Sequence, residues 1–239
     1  MPHSETIHLR PTAELAERVL LPGDPGRALA LAQWLLEKPL MFNHHRGLWG
    51  YTGRAADGEL LTVQSTGMGG PSAAIVLHEL AALGARRAIR VGTCGALNGA
   101  LELGELVVAR EAIAADGTSR ALGAGKRVAA DLELTEALAG TPASRRTHGG
   151  GGSHTVVSTD LFYEHDSQRE HDWRAAGAVA VEMEAATLFA VGERLGVSVG
   201  CVLVVTDLLR AEGRRRIEEE ELLEAAEAMG HLAAAALGS

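Results

Sequence analysis

The chain is poor in aromatic side chains: three Phe, two Tyr and three Trp among 239 residues. A groove that stacks the bases of a single strand draws on several such rings, so that mode of nucleic-acid binding drops out first. Basic charge is also short. Thirty-one acidic residues outnumber 22 Lys and Arg, for a formal net charge of −9, where a general polyanion binder is basic. Lysine occurs only at Lys38 and Lys126; every other basic side chain is arginine. The two cysteines, Cys94 and Cys201, sit in apolar runs, which predicts reduced core thiols instead of a disulfide framework. No stretch approaches the ~20 apolar residues of a membrane span. The opening residues, MPHSETIHLRPTAEL, contain no apolar core of signal-peptide length. The expectation is a cytoplasmic protein.

What is present is a hydrophobic chain, 46% apolar, with enough material for one large α/β domain or two small ones. Short apolar runs are followed by turns and then by helical patterns. RVLLPGDPGRALALAQWLLE reads as strand, Gly-rich turn and helix, and ELLTVQSTGMGGPSAAIVLHELAALGA repeats that plan. Pro71 and Ser72 suit a first helical turn and Gly84 a helix end. AIRVGTCGAL, ELVVAREAI and HTVVSTD read as strands, AVAVEMEAATLFAVGERLG as strand into helix, and VGCVLVVTD as a last buried strand. IEEEELLEAAEAMGHLAAAAL reads as a terminal helix with its acids at the N-terminal end, where the helix dipole favours them. LFYEHDSQREHDW reads as a polar loop, and HGGGGSH at 148–154 as a weakly ordered surface loop. No repeat or linker divides the chain. The fold class predicted is α/β, a single domain over 1–239 with a mixed, mostly buried sheet flanked by helices.

Two Gly-rich turns, PGDPGR at 22–27 and TGMGGPS at 66–72, each join a strand to a helix. Such turns present backbone N–H groups beside a helix N-terminus and suit an anion, although ordinary tight turns use the same glycines. Neither has the Walker A ending or the G-x-G-x-x-G spacing, so triphosphates and dinucleotides are poor candidates. IRVGTCG, 89–95, places Arg90 inside an apolar strand with Thr93 just past its end, and an interior arginine calls for a carboxylate or phosphate. With Arg27 at the end of the first turn and Arg46 in NHHRG, these residues make a cage for one inorganic phosphate. VAVEMEAATLF, 179–189, puts Glu182 and Glu184 where apolar residues surround them, and an unpaired buried carboxylate costs several kcal/mol. Asp207 ends VVTD, at the strand terminus where ligands of open α/β sheets gather, and has the makings of a proton donor; a turn or cap aspartate is the alternative. His44, His45, His165 and His171 lack metal-binding spacing, and His78-Glu79 begins no H-E-x-x-H motif, so no metal is expected.

The segments LPGDPGR, STGMGGPSAAIVLHEL, IRVGTCGAL, STDLFY, VEMEAATLF and VVTD, in this order, resemble the nucleoside phosphorylase family that includes hexameric purine nucleoside phosphorylases, uridine phosphorylases and some methylthioadenosine phosphorylases. The resemblance runs from about residue 8 to about 207. It implies attack of inorganic phosphate on C1′ of a nucleoside, releasing the base and (deoxy)ribose 1-phosphate, with phosphate as co-substrate and no other cofactor. It implies phosphate binding by Gly23, Arg27, Arg90 and Thr93, joined by Arg46 from a neighbouring subunit. His8 would also cross that interface, toward the ribose 5′ end. Phe162 would lie beside the base, Met183 and Glu184 beneath the ribose with Glu182 next to them, and Asp207 would protonate purine N7. The partners implied are a nucleoside, phosphate and further copies of the chain in a homohexamer, with no nucleic acid or membrane.

The same resemblance separates purine from pyrimidine. Uridine phosphorylases lack the strand-end acid and carry a Gln-x-Arg pair after FY; here Gln168 and Arg169 are adjacent, and Asp207 is present. STGMGGPS stands closer to the uridine branch, so uridine remains the alternative to purines. Purine members also have an arginine beyond the aspartate, and spacing does not choose among Arg210, Arg214, Arg215 and Arg216. A nucleosidase using water has no need of Arg27 and Arg90 together. A non-catalytic nucleoside-binding module has little need of Asp207.

Overall fold

The computed structural model describes residues 6–97, 99–140, 152–164, 166–210 and 213–238. Residues 148–151 of the Gly-rich stretch, His165 and the side chain of Arg210 lie outside them. The described strands form one mixed sheet of eleven. Apart from a hairpin, the first half alternates as the sequence predicts: β1 (Arg18–Leu21), α1 (Pro25–Leu35), the hairpin β2 (Glu37–Asn43) and β3 (Gly50–Arg54), β4 (Leu60–Gln64), α2 (Gly70–Leu83) and β5 (Arg87–Ala96). Then come β6 (Leu106–Ala114), α3 (Gly117–Ala121), β7 (Arg127–Ala129), α4 (Leu132–Gly140), β8 (Ser153–Ser158), α5 (Ser167–Ala175), β9 (Ala178–Glu182), α6 (Ala185–Leu195), β10 (Ser198–Arg210), β11 (Gly213–Arg216) and α7 (Glu219–Gly238).

Strands β10, β6, β8, β9 and β5 follow one another in the sheet, and β10 also pairs with β5, so these five close into a ring. From β5 the sheet continues outward through β1, β4, β3 and β2. Side chains alternate across the strands, and each face is apolar. One face, with Val19, Leu21, Ala88, Leu203 and Val205, packs on α2 and α6; the other, with Leu20, Ile89, Val91, Val202 and Val204, packs on α1, α4 and α7. Two cores on opposite faces explain why the central runs read as continuously hydrophobic.

Where the sheet divides, it leaves a gap. β1 pairs with β5 only as far as Leu21–Arg90, and β9 pairs with β5 only at Gly95 and Ala96. The edge of β5 between Arg90 and Gly95 has no strand beside it there, and such a switch point is where α/β sheets open a crevice. On the other edge, β5 and β10 run parallel from Arg87–Ser198 to Cys94–Val205. A bulge then inserts Thr206, so that Asp207 stands opposite Gly95.

The structure corrects the reading of four segments. β5 continues through Thr93 to Ala96, so Thr93 lies within the strand. VVTD is not a terminus: β10 runs on to Arg210 and turns back as β11. The stretch after Tyr163 contains a helix, α5, capped by Asp166, whose side chain accepts from Gln168 N. Its polar composition hid it, because Trp173 is its one buried residue. The hairpin β2–β3 also went unread: β2 is largely exposed and contains Pro39, so it shows no alternation.

Candidate active site

The crevice is a cavity of about 400 Å³, within the range of small-molecule sites. Its walls include Gly23, Arg27, Arg90, Thr93, Phe162, Glu182, Met183, Glu184 and Asp207, brought together from five stretches of chain. His8 and Arg46 are not among the lining residues.

The two Gly-rich turns form one end. Thr66 N donates to Pro22 O at 2.8 Å, and a Cβ on Gly23 would stand 3.2 Å from Gly67 O, so the turns lie against each other. Gly67 and Gly69 have φ of +73° and +84°, a region that favours glycine. Asp24 caps α1 by accepting from Arg27 N at 2.7 Å, which fixes where the arginine leaves the helix. Among the described residues no hydrogen bond engages the Arg27 guanidinium. Burial lowers its pKa, and Arg90 nearby adds to that while Asp24 and Glu184 oppose it.

Arg90 is committed differently. Its Nε donates to Glu182 Oε2 at 2.9 Å, and its Nη2 donates to Glu184 Oε2. Burial pulls the guanidinium pKa down, but the charges of Glu184 and Glu182 outweigh it and the net shift is upward. Two of its five N–H donors are taken, leaving three for a ligand. The guanidinium folds back along its own strand: a Cβ on Gly92 would lie 2.8 Å from Arg90 Cζ, so a side chain at 92 would push the guanidinium out of its place.

The two glutamates therefore differ. Glu182 ends β9, and Glu184 occupies the N-cap position of α6. Glu184 also accepts from Gly69 N at 2.5 Å. Burial pushes its carboxyl pKa up, with the Arg90 charge opposing. The Glu182 side chain has no exposure, and every partner it has is a donor: Arg90 Nε, Glu184 N, Ala185 N and the Ser158 hydroxyl. Among the described residues these four donors occupy the Glu182 carboxylate, which holds Arg90 and the start of α6.

The other end of the cavity holds the acid. Asp207 is buried, its Oδ1 accepting from Arg214 Nε at 2.7 Å and its Oδ2 from the Thr206 hydroxyl at 2.8 Å. Spacing did not single out Arg214; the β10–β11 hairpin does, by folding it back over the acid, while Arg216 stays at 4.0 Å. The hydrogen bond to Asp207 raises the Arg214 pKa. Its guanidinium also lies 4.4 Å from the Phe162 ring centroid, and Phe162 is 49% exposed. From Gly92, where the Arg90 guanidinium sits, to Gly95, opposite Asp207, is about 10 Å of strand.

Gln168 and Arg169 turn elsewhere: Gln168 Nε2 donates to Asp172 at 2.8 Å and Arg169 Nη1 to Glu164 at 2.6 Å, and neither lines the cavity. Cys94 is buried in the cavity wall and Cys201 in the core, both as free thiols. Among the described residues no three His, Cys, Asp or Glu side chains converge as a metal site would require, and no helix is long and apolar enough to cross a membrane.

His8 and Arg46 lie on one surface. Glu79 of α2 accepts from the backbone N–H groups of Ile7, His8 and Leu9 and from His8 Nδ1 at 2.7 Å. His45 Nδ1 lies 3.1 Å from His8 O, and Arg10 N donates to Asn43, which ties this arm to the Arg46 turn. Arg46 itself is exposed and left-handed, with φ of +59°, uncommon for a residue with a side chain.

A profile described as the phosphorylase superfamily matches residues 17–238. The chain belongs to this superfamily. A DeoD-type purine nucleoside phosphorylase of Clostridium novyi is 35% identical over 211 residues, 87% of this chain and 89% of that protein. One of Geobacillus kaustophilus is 35% identical over 214 residues, covering 88% and 89%. A guanosine phosphorylase of Halorubrum lacusprofundi is 34% identical over 213 residues, covering 88% and 86%.

Proposed function

We propose that this superfamily member is a purine nucleoside phosphorylase, a pentosyltransferase that cleaves the N-glycosidic bond with inorganic phosphate and yields free base and (deoxy)ribose 1-phosphate. The observation that carries the reading is the single cavity holding arginines at one end and a buried acid, paired with an arginine, at the other. The names of the relatives support the same substrate class.

The reaction follows from where charge moves. As the C1′–N9 bond lengthens, its electron pair passes to the purine and positive charge grows on the sugar. Phosphate, held by Arg27, Arg90, Thr93 and the turn at Gly23, stabilises that cation and then bonds to C1′. Glu184 accepts from the ribose hydroxyls above Met183. Asp207 delivers a proton to N7, and Arg214 stabilises the carboxylate left behind. The base lies beside Phe162, where it meets the Arg214 guanidinium. No metal or organic cofactor enters any of these steps. Uridine, whose recognition in the uridine branch uses the Gln-x-Arg pair, finds Gln168 and Arg169 turned away from this cavity.

The test is a nucleoside panel with and without phosphate. Inosine, guanosine and adenosine should release base only when phosphate is present, and faster than uridine. Release without phosphate would make the protein a nucleosidase, and a uridine preference would move it to the other branch.

The reading extends to assembly. His8 and Arg46, outside this chain's cavity but tied together on its surface, serve the cavity of a neighbouring copy in a cytoplasmic homohexamer. Arg46→Ala and Asp207→Asn chains should each have little activity, and hybrids of the two should regain some. The Arg46→Ala chain keeps an intact Asp207 and receives an intact Arg46 from its neighbour. No recovery in hybrids demonstrated by mass would place each site within one chain.

A further inference from the structure

The geometry assigns to Glu182 the role of a positioning residue that holds the phosphate arginine and the ribose-binding glutamate as one rigid unit. The assignment rests on the phosphorylase reading above. Glu182 lies between the two subsites and touches the framework of both. On one side its Oε2 fixes Arg90 through Nε, at 2.9 Å. On the other it caps the N-terminus of α6, accepting from Glu184 N at 2.9 Å and from Ala185 N at 3.0 Å, where the helix dipole favours a negative charge. Ser158 completes the set: its hydroxyl accepts from Ala186 N at 2.9 Å and so has its own proton free to donate to Glu182 Oε1. Arg90 in turn holds Glu184. The three charged groups form a closed triangle: Glu182 to Arg90 by side chain, Arg90 to Glu184 by side chain, and Glu184 back to Glu182 through its backbone N–H.

The chemistry of the partners makes this position intolerant. All four are donors, so a carboxamide at 182 must aim its NH₂ at one of them, and only Ser158 is able to turn and accept. Aspartate keeps the charge but is one methylene short of Arg90. In Glu182→Gln the NH₂ turns to Ser158 and the amide oxygen meets Arg90 Nε and the N–H groups of α6 only as a neutral acceptor, without the charge; in Glu182→Asp Arg90 is freed at Nε. The phosphate and ribose subsites then loosen together, although Glu182 touches neither ligand.

The experiment compares Glu182→Gln and Ser158→Ala with the parent protein, measuring kcat, KM for phosphate, KM for inosine, and the ratio of kcat/KM between inosine and 2′,3′-dideoxyinosine, alongside thermal unfolding. Phosphate-dependent base release by the parent is scored first, so failure of the phosphorylase reading shows there. For Glu182→Gln the expected result is a joint rise of both KM values by roughly 10- to 100-fold, the factor of a lost charge-assisted hydrogen bond, with a collapse of the inosine-to-dideoxyinosine ratio. Ser158→Ala removes one donor of four and should give the same pattern at about fivefold. A merely structural Glu182 would lower the folded fraction, and with it the apparent kcat, while both KM values and the sugar ratio kept their parental values. That outcome overturns the assignment. Should Glu182→Gln yield no folded protein, Ser158→Ala decides: unchanged KM values and an unchanged ratio overturn the assignment equally.

Discussion

Replacing Asp207 by Asn is expected to slow inosine phosphorolysis by roughly 10²- to 10⁴-fold, the loss typical of a missing general acid. The side chain keeps its size and its oxygen for Thr206 or Arg214, so little should change in stability or binding. What disappears is the proton for N7. A 7-methylated purine nucleoside carries the positive charge on its ring already and leaves without that proton, so its turnover should fall far less in the same variant. Steady-state assays of the two substrates side by side make the check. Equal losses on both would remove Asp207 from the acid role and leave it as a buried partner of Arg214. The same assay on Arg214→Ala should show a smaller loss with the same substrate bias, since this arginine acts through the aspartate.

The second large effect is expected at Glu184. It already holds Gly69 N and Arg90 before any ligand enters, so its loss acts in two ways. One penalty is uniform, because Arg90 loses a charged partner in a buried place. The other depends on the sugar. A hydrogen bond to a charged group contributes about 1.5–3 kcal/mol, or roughly 10- to 150-fold in rate when it is made in the transition state. Glu184→Gln should therefore reduce kcat/KM most for inosine, less for 2′-deoxyinosine and least for 2′,3′-dideoxyinosine. The comparison is a double-mutant cycle between side chain and substrate, and the dideoxy compound measures the uniform part. Equal losses on all three sugars would leave Glu184 as an ion-pair partner of Arg90 and nothing more.

Much of the framework was readable from the chain. The Gly-rich turns, the alternation of apolar runs with helical patterns and the interior Arg90 all depend on local composition, and local composition is what a sequence displays. Three things were not readable, for one physical reason. Arg214, Arg215 and Arg216 look alike until β11 folds back on β10, which puts Arg216 opposite Asp207 and lets Arg214, opposite Leu209, reach the acid through its Nε. Glu182 and Glu184 look alike until the strand ends at the first and the helix starts just after the second, which turns one carboxylate inward onto a helix terminus and the other toward the cavity. The use of Glu79 to hold His8 joins residues 71 positions apart. Each depends on partners distant in the chain, and side-chain type says little about those. Helix α5 escaped for the opposite reason: it buries too little to leave a pattern.

The bulge at Thr206 makes the Asp207 end of the β5–β10 ladder separately adjustable. Up to Val205 and Cys94 the two central strands keep strict register, and Arg90 belongs to that regular part. Beyond it, one extra residue decides which side chain of β10 stands opposite Gly95. Side chains alternate, so inserting or removing a single residue there exchanges the β10 side chain that stands opposite Gly95, beyond the part of the ladder that carries Arg90.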